Sequence, residues 1–181
     1  LMLALTRPAG LLALAAAGCG ESVSLEPGPL DAFFYPVGLG VLDHRLVVAS
    51  SNANLRYDDE TGGSLIAVDV ADPMTVTGAI NVSSFAGELA IADPARCPVA
   101  DPASGAVAVL PVRGADLVYL ARMADGSLSC DGCELPVSGA DRGDPFAVGL
   151  ACGDGIARAY VGYLRTTLGA TLAGAIGLAE Q

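Results

Sequence analysis

The stretch LVVASSNANLRYDDETGGSLIAVDV, residues 46–70, decides how the rest of this chain is read. Two apolar runs, LVVAS (46–50) and SLIAVDV (64–70), flank a polar loop, SNANLRYDDETGG (51–63). Each run falls within the roughly 4–8 residues of a strand and is rich in Val, Leu and Ile. Branched side chains suit a pleated surface, and Gly, Asn and Asp suit the turn between. LIAVDV partly alternates, whereas LVVA is apolar throughout, as in a strand covered on both faces.

The pattern extends in both directions. Upstream, VGLGVL (37–42) meets the polar DHR, and downstream ADP (71–73) closes the unit. A second unit runs AVAVLPV (106–112), turn RGAD, LVYLARM (117–123), turn ADG, SLSC (127–130). A third begins DPFAVGLA (144–151), turn CGDG, IARAYVGYLR (156–165). Aligning LVVAS, LVYLA (117–121) and AYVGY (159–163) gives offsets of roughly 71 and 42 residues. The second offset matches the ~40–45 residue spacing of propeller blades. The first requires an insertion, for which 83–105 is the natural place. The third unit lacks a closing strand of the SLIAVDV kind. In its place stands TTLGATLAGAIGLAEQ (166–181), of mixed helical propensity: Ala and Leu favour a helix, but each Gly costs about 1 kcal/mol.

The 46–70 stretch resembles the repeat of YVTN-type β-propeller proteins, whose blades carry a YV-x-N strand, a loop and a V-x-V-I-D strand. Val47-Val48-Ala49-Ser50-Ser51-Asn52 would occupy the first strand and its end, and Leu65-Ile66-Ala67-Val68-Asp69 the second. In that arrangement the terminal polar residue bonds backbone at the strand end. The resemblance implies an all-β fold over 33–181, a partial propeller-like array of short antiparallel strands in two to three blades. A closed propeller takes about 4–8 blades, so the expectation is a fragment of a longer protein. A small sandwich or open sheet is the alternative.

Hydrophobic residues make up 52% and charged residues 16%, which is not a disordered composition. Aromatics are scarce at 5%, while Gly (23) and Pro (11) supply many turns. The net charge is −11 and the 9 basic residues are scattered, which argues against nucleic acid, since phosphate binding needs clustered Lys and Arg.

LLALAAAGCGES (11–22) is read as an address rather than a core segment. Arg7 precedes an uncharged run, Ala9 to Gly20, that spans only about 18 Å as a helix, too short for a bilayer core of ~30 Å. This is a signal-peptide pattern. Ala16-Ala17-Gly18-Cys19 resembles the bacterial lipobox. The resemblance implies a helical signal peptide over 1–18, cleavage after Gly18, lipid on Cys19 and a tether over 19–32. Several acyl chains would make the anchor stable. Gly20, in place of Asp after the Cys, favours the outer membrane. Ordinary signal peptidase cleavage, an uncleaved anchor and a buried helix are the rival readings.

Four other cysteines, Cys97, Cys130, Cys133 and Cys152, form an even set in an exported chain, so the expectation is two disulfides with connectivity open. CDGC (130–133) follows a predicted strand, not the helix start that activates a redox CxxC. Glu134 stands where a c-type haem site needs His, and one CxxC with two lone cysteines is poor zinc spacing. His44 beside Asp43 is the sole histidine. Neighbours in a strand point to opposite faces, so a solvated turn residue is expected. Asn52, Asn54, Asp58, Asp59 and Glu60 offer oxygen ligands without EF-hand spacing, and a polar rim loop is the reading adopted, with no metal and no cofactor. The Asp-Pro pairs at 72, 93, 101 and 144 are read as turn initiators.

The functional expectation is a non-catalytic, lipid-anchored cell-envelope protein. Its β-repeat domain binds an unknown protein or small molecule, and its membrane contact is the anchor. YVTN-related propellers also include lactonases and quinoprotein-like dehydrogenases, so an enzyme completed by further blades is the alternative.

Overall fold

The computed structural model describes residues 26–71, 73–97, 105–137, 143–153, 156–165 and 173–177. Residues 1–18 and Cys19 lie outside them. The described residues are all-β, with no α-helix.

The first sheet is an up-and-down meander of β1 (Pro36–Leu42), β2 (Arg45–Ser50), β3 (Gly63–Asp69) and β4 (Thr75–Val82), in that order. The second holds β5 (Ala90–Ala92), β6 (Ala106–Val112), β7 (Leu117–Ala124) and β8 (Ser127–Ser129), with β9 (Glu134–Pro136) also on β7. The third is β10 (Gly143–Gly153), β11 (Ile156–Arg165) and β12 (Ala173–Gly177). Every pairing is antiparallel.

The sheets stack face to face with the second in the middle. Along β6, Ala106, Ala108, Leu110 and Val112 face a core shared with Val47, Ala49, Leu65 and Ala67 of the first sheet. Val107 and Val109 face the other way, onto Ala157, Ala159 and Val161 of the third. All of β6 is therefore buried, which is why AVAVLPV shows no polar alternation. Each large side chain so enclosed contributes about 1.5–3 kcal/mol. β1 and β10 both touch β5, and β4 touches β8, so the first strands of all three sheets are neighbours, as are the last strands of the first two. The close approach of β1 to β5 needs Gly40: a Cβ there would run into the Ile91 side chain.

Pro111 is fully buried within a central strand, where proline is normally excluded. Its carbonyl accepts from Gly87 N at 2.8 Å, so its nitrogen faces the same side. There the β5 ladder has already ended at Val109, and no donor is missed.

The predicted runs at 37–42, 46–50, 64–70, 106–112, 117–123, 127–130, 144–151 and 156–165 all fall on strands. Three expectations change. The stretch 83–105 is not merely an insertion, because it contributes β5. The third unit does not lack its closing strand: Ala173–Gly177 pairs with β11, inside the segment of mixed helical propensity. The repeat phase also shifts. LVVAS and AYVGY lie on second strands, β2 and β11, but LVYLA lies on a third strand, β7. The 42-residue offset therefore compared unlike strands. β4 and β9 were not expected.

The tether's described part, from Glu26 onward, joins the domain. Gly28 N donates to Thr61 O at 3.0 Å, and Gly28 O accepts from Asn81 Nδ2 at 3.0 Å.

Tyr119 of β7 ties the second sheet to the β4–β5 connection, its hydroxyl accepting from Ser83 N at 3.3 Å and lying 3.1 Å from Ser83 Oγ. Burial pushes its phenol above the ordinary 10.0, the Ser83 bonds pull it partly back, and nearby Glu134 adds to the rise. The neutral phenol is thus favoured more in the fold than in the unfolded chain. The linked stability is intact below pH 10 and is lost as pH climbs through the folded value. Denaturant midpoints measured across this range should fall above about pH 10 in the native chain. The Tyr119→Phe variant, whatever its baseline stability, should lack that component of the fall.

Candidate functional site

One end of the stack is built from tight turns. Asp43-His44 joins β1 to β2, with Asp43 at φ +54°. Asp125-Gly126 joins β7 to β8 with both residues at positive φ, the hairpin geometry that Asp-Gly favours. Asp93 organises the start of the β5–β6 connection. Its Oδ1 accepts from Ala95 N at 2.9 Å and its carbonyl from Arg96 N at 3.0 Å, as expected of an Asp-Pro turn.

Between these turns opens a polar cleft of about 400 Å³. Asp43, Asp93 and Asp125 line it together with Arg45, Leu42 and Met123. The Arg45 guanidinium lies against Gly126: a Cβ there would sit 2.9–3.0 Å from Nε, Nη2 and Cζ. Arg45 Nε is buried without a hydrogen-bond partner. Asp93 is engaged at 3.5 Å by Arg96. The cleft thus offers one guanidinium, carboxylate acceptors and an apolar floor. That set suits a small polar molecule bearing both acceptors and donors. Sequence reasoning missed it because its residues come from three separate turns. The available signal was Asp-Gly at 125–126 and an Arg opening a strand.

His44 is at this end. Its partner is not Asp43 but Asp69, with Nε2 and Oδ2 3.4 Å apart, and 59% of its side chain is exposed. It is a turn residue, as expected, but one held by an ion-pair contact when protonated.

The loop of residues 51–63 lies at the opposite end. Asn52 is wholly buried there, and its amide is spent on the protein. Nδ2 donates to Tyr57 O at 3.0 Å and Ser84 Oγ at 2.9 Å, while Oδ1 accepts from Tyr57 N at 3.2 Å. This is the backbone-binding role expected of the polar residue at a strand end. Asp58 Oδ2 accepts from Thr61 N and Oγ1 at 3.2 and 3.0 Å. Asn54, Asp59 and Glu60 are exposed, and Asp59 O accepts from Ser84 N. The five candidate ligands do not converge. Among the described residues no group of three or more His, Cys, Asp or Glu could hold a metal ion.

The cysteines fall into two pairs. Cys97, after β5, bridges to Cys152 in β10 with Cα atoms 5.1 Å apart, stapling the second sheet to the third. Cys130 bridges to Cys133 with Cα atoms 4.9 Å apart. Asp144-Pro145 is not a turn but lies within β10, where the register shifts between Pro145 and Ala147. Asp72, Asp101 and Pro102 lie outside the described residues.

No protein-family model matches the chain, and neither a curated protein nor a solved structure matches it.

Two substitutions separate the ends. Asn52→Ala leaves the Tyr57 amide without its acceptor and should cost about 1–3 kcal/mol in denaturant unfolding. Gly126→Ala forces a Cβ onto Arg45 at positive φ and should cost about 1–3 kcal/mol. Gly126→Ala should also broaden or shift the Arg45 Nε resonance, which Asn52→Ala should leave in place.

Proposed function

We propose that this chain is a non-catalytic, lipid-anchored protein of the bacterial cell envelope, with a propeller-like β-repeat domain that serves as a binding or scaffold surface. The observation that carries the reading is the stacking order. Three antiparallel sheets lie face to face with β1, β5 and β10 as neighbours along one margin. Propeller blades are arranged in this way about their channel. Tyr160 and Leu164 are exposed on the outer face of the third sheet, where a further blade would bury them.

The remaining support is chemical. Two cysteine pairs at bonding distance agree with an oxidising compartment outside the cytosol. The lipobox-like Ala16-Ala17-Gly18-Cys19 supports the anchor site, and Gly20 in place of Asp supports an outer-membrane address. The net charge of −11 disfavours nucleic acid as a partner. The Arg45 cleft is the place for a small-molecule or protein ligand.

Intact mass of the mature protein extracted from membranes tests the anchor. The expected species begins at Cys19, carries thioether-linked diacylglycerol and an amide-linked acyl chain, and lacks four cysteine hydrogens through its two disulfides. A species retaining residues 1–18, or one starting at Cys19 without lipid, would overturn the reading.

A further inference from the structure

The fourth layer of the second sheet is split. β8 pairs with residues 122–124 of β7 and β9 with residues 117–119, and CDGC spans the break. The Cys130–Cys133 bridge closes this gap where the ladder itself is interrupted. Cys133 is buried at 6% exposure against the core, and its carbonyl accepts from Leu120 N at 2.8 Å. Cys130 is only half-buried. Asp131 and Gly132 are exposed, and Gly132 has nothing within 4 Å of where a Cβ would be. The turn that carries the bridge therefore stands in open space.

We infer that Cys130–Cys133 is a redox-labile clasp: an external dithiol opens it ahead of Cys97–Cys152 and so releases β9 from the edge of the second sheet. Access does not separate the two bridges, because Cys152 is itself exposed. The chain each one ties does. Cys97–Cys152 spans 55 residues and joins two packed sheets, whereas Cys130–Cys133 spans 3 and joins two short strand segments. A bridge across a long loop removes more freedom from the opened chain, and CxxC bridges are as a class more easily reduced than long-range structural ones.

The exchange balances. One thiolate of the dithiol attacks Cys130 Sγ, forming a mixed disulfide and expelling Cys133 as a thiolate. The second thiolate attacks the reductant's own sulfur in that mixed disulfide and expels Cys130. Two electrons pass to the protein pair, the dithiol leaves as its cyclic disulfide, and the cysteines take up the two protons the dithiol lost. β9 is then held by a three-residue ladder, by Leu120 N donating to Cys133 O at 2.8 Å, by Val137 N donating to Asp116 O at 3.0 Å, and by the partly buried Leu135 and Val137. So short a strand is marginal on its own. Its release bares the backbone of β7 at Leu117–Tyr119, an edge able to accept another strand.

Titrating the native protein with dithiothreitol tests this, with released thiols alkylated and mapped by mass and amide exchange followed alongside. Cys130 and Cys133 should label first, while Cys97 and Cys152 stay bridged. Exchange at Glu134–Val137 should then rise about tenfold or more, with Val47 and Leu65 unchanged. The double variant Cys130→Ser/Cys133→Ser should show the same fast exchange without reductant. Simultaneous opening of both bridges, opening of Cys97–Cys152 first, undisturbed β9 protection after opening, or loss of protection throughout the core would each overturn the inference.

Discussion

The structure depends on burying one sheet on both of its faces. β6 and the inner half of β7 turn successive side chains to opposite neighbours, Leu110 to one core and Val109 to the other. The buried side chains of β11 in the third sheet all belong to the core which that sheet shares with the middle one, whereas the first sheet also buries Val48, Ile66 and Val68 on its other face. The first packs its inner face on Leu110, Val112 and Met123, and the third packs on Val107, Val109 and Val118. Removing the middle layer would separate the other two. Stability in this chain is therefore a nearest-neighbour property, passed from layer to layer as in repeat architectures.

The two ends of the stack do different work. At the 51–63 end the loops are fastened to one another. Asn52 holds Tyr57 and Ser84, Gly114 N donates to Ser84 O, and Glu88 N donates to Phe146 O across to the third sheet. At the other end Asp43 and Asp125, both at positive φ in tight turns, line a recess together with Asp93 at the start of the β5–β6 connection. Fastened loops keep the sheets in register, and the turns border the recess with the side chains of Asp43, Asp125 and Arg45.

Strands were legible wherever a run was apolar and bounded by turn residues. LVVAS and AVAVLPV became strands covered on both faces, and IARAYVGYLR one whose Ala157, Ala159, Val161 and Tyr163 are buried while Tyr160 and Leu164 stay exposed. The elements that escaped are those whose composition carries little hydrophobic signal. TVTGAINV is half polar because β4 is an edge, β5 is three residues long, and the Ala- and Gly-rich β12 owes its conformation to pairing with β11. The role of Asn52 was legible from its place at a strand end, and an even cysteine count implied pairs. Which cysteines pair depends on sheet order, which no local pattern encodes. The Arg45 cleft was invisible for the same reason: Asp43, Asp93 and Asp125 are far apart in sequence and meet only once β1, β5 and β7 lie alongside.

Pro111 has a consequence for how the chain avoids error. In a layered protein of similar valine-rich ribbons, a strand can add on two residues out of step and still bury its apolar face. Any ribbon that tries to prolong its pairing past Val109 meets, at the next bonding position, a nitrogen with no hydrogen to give. A single ring closed on the backbone thus marks where the regular β5 ladder stops, and the chain preceding β5 rejoins β6 only through Gly87 N on Pro111 O and the Ala86–Val112 bridge.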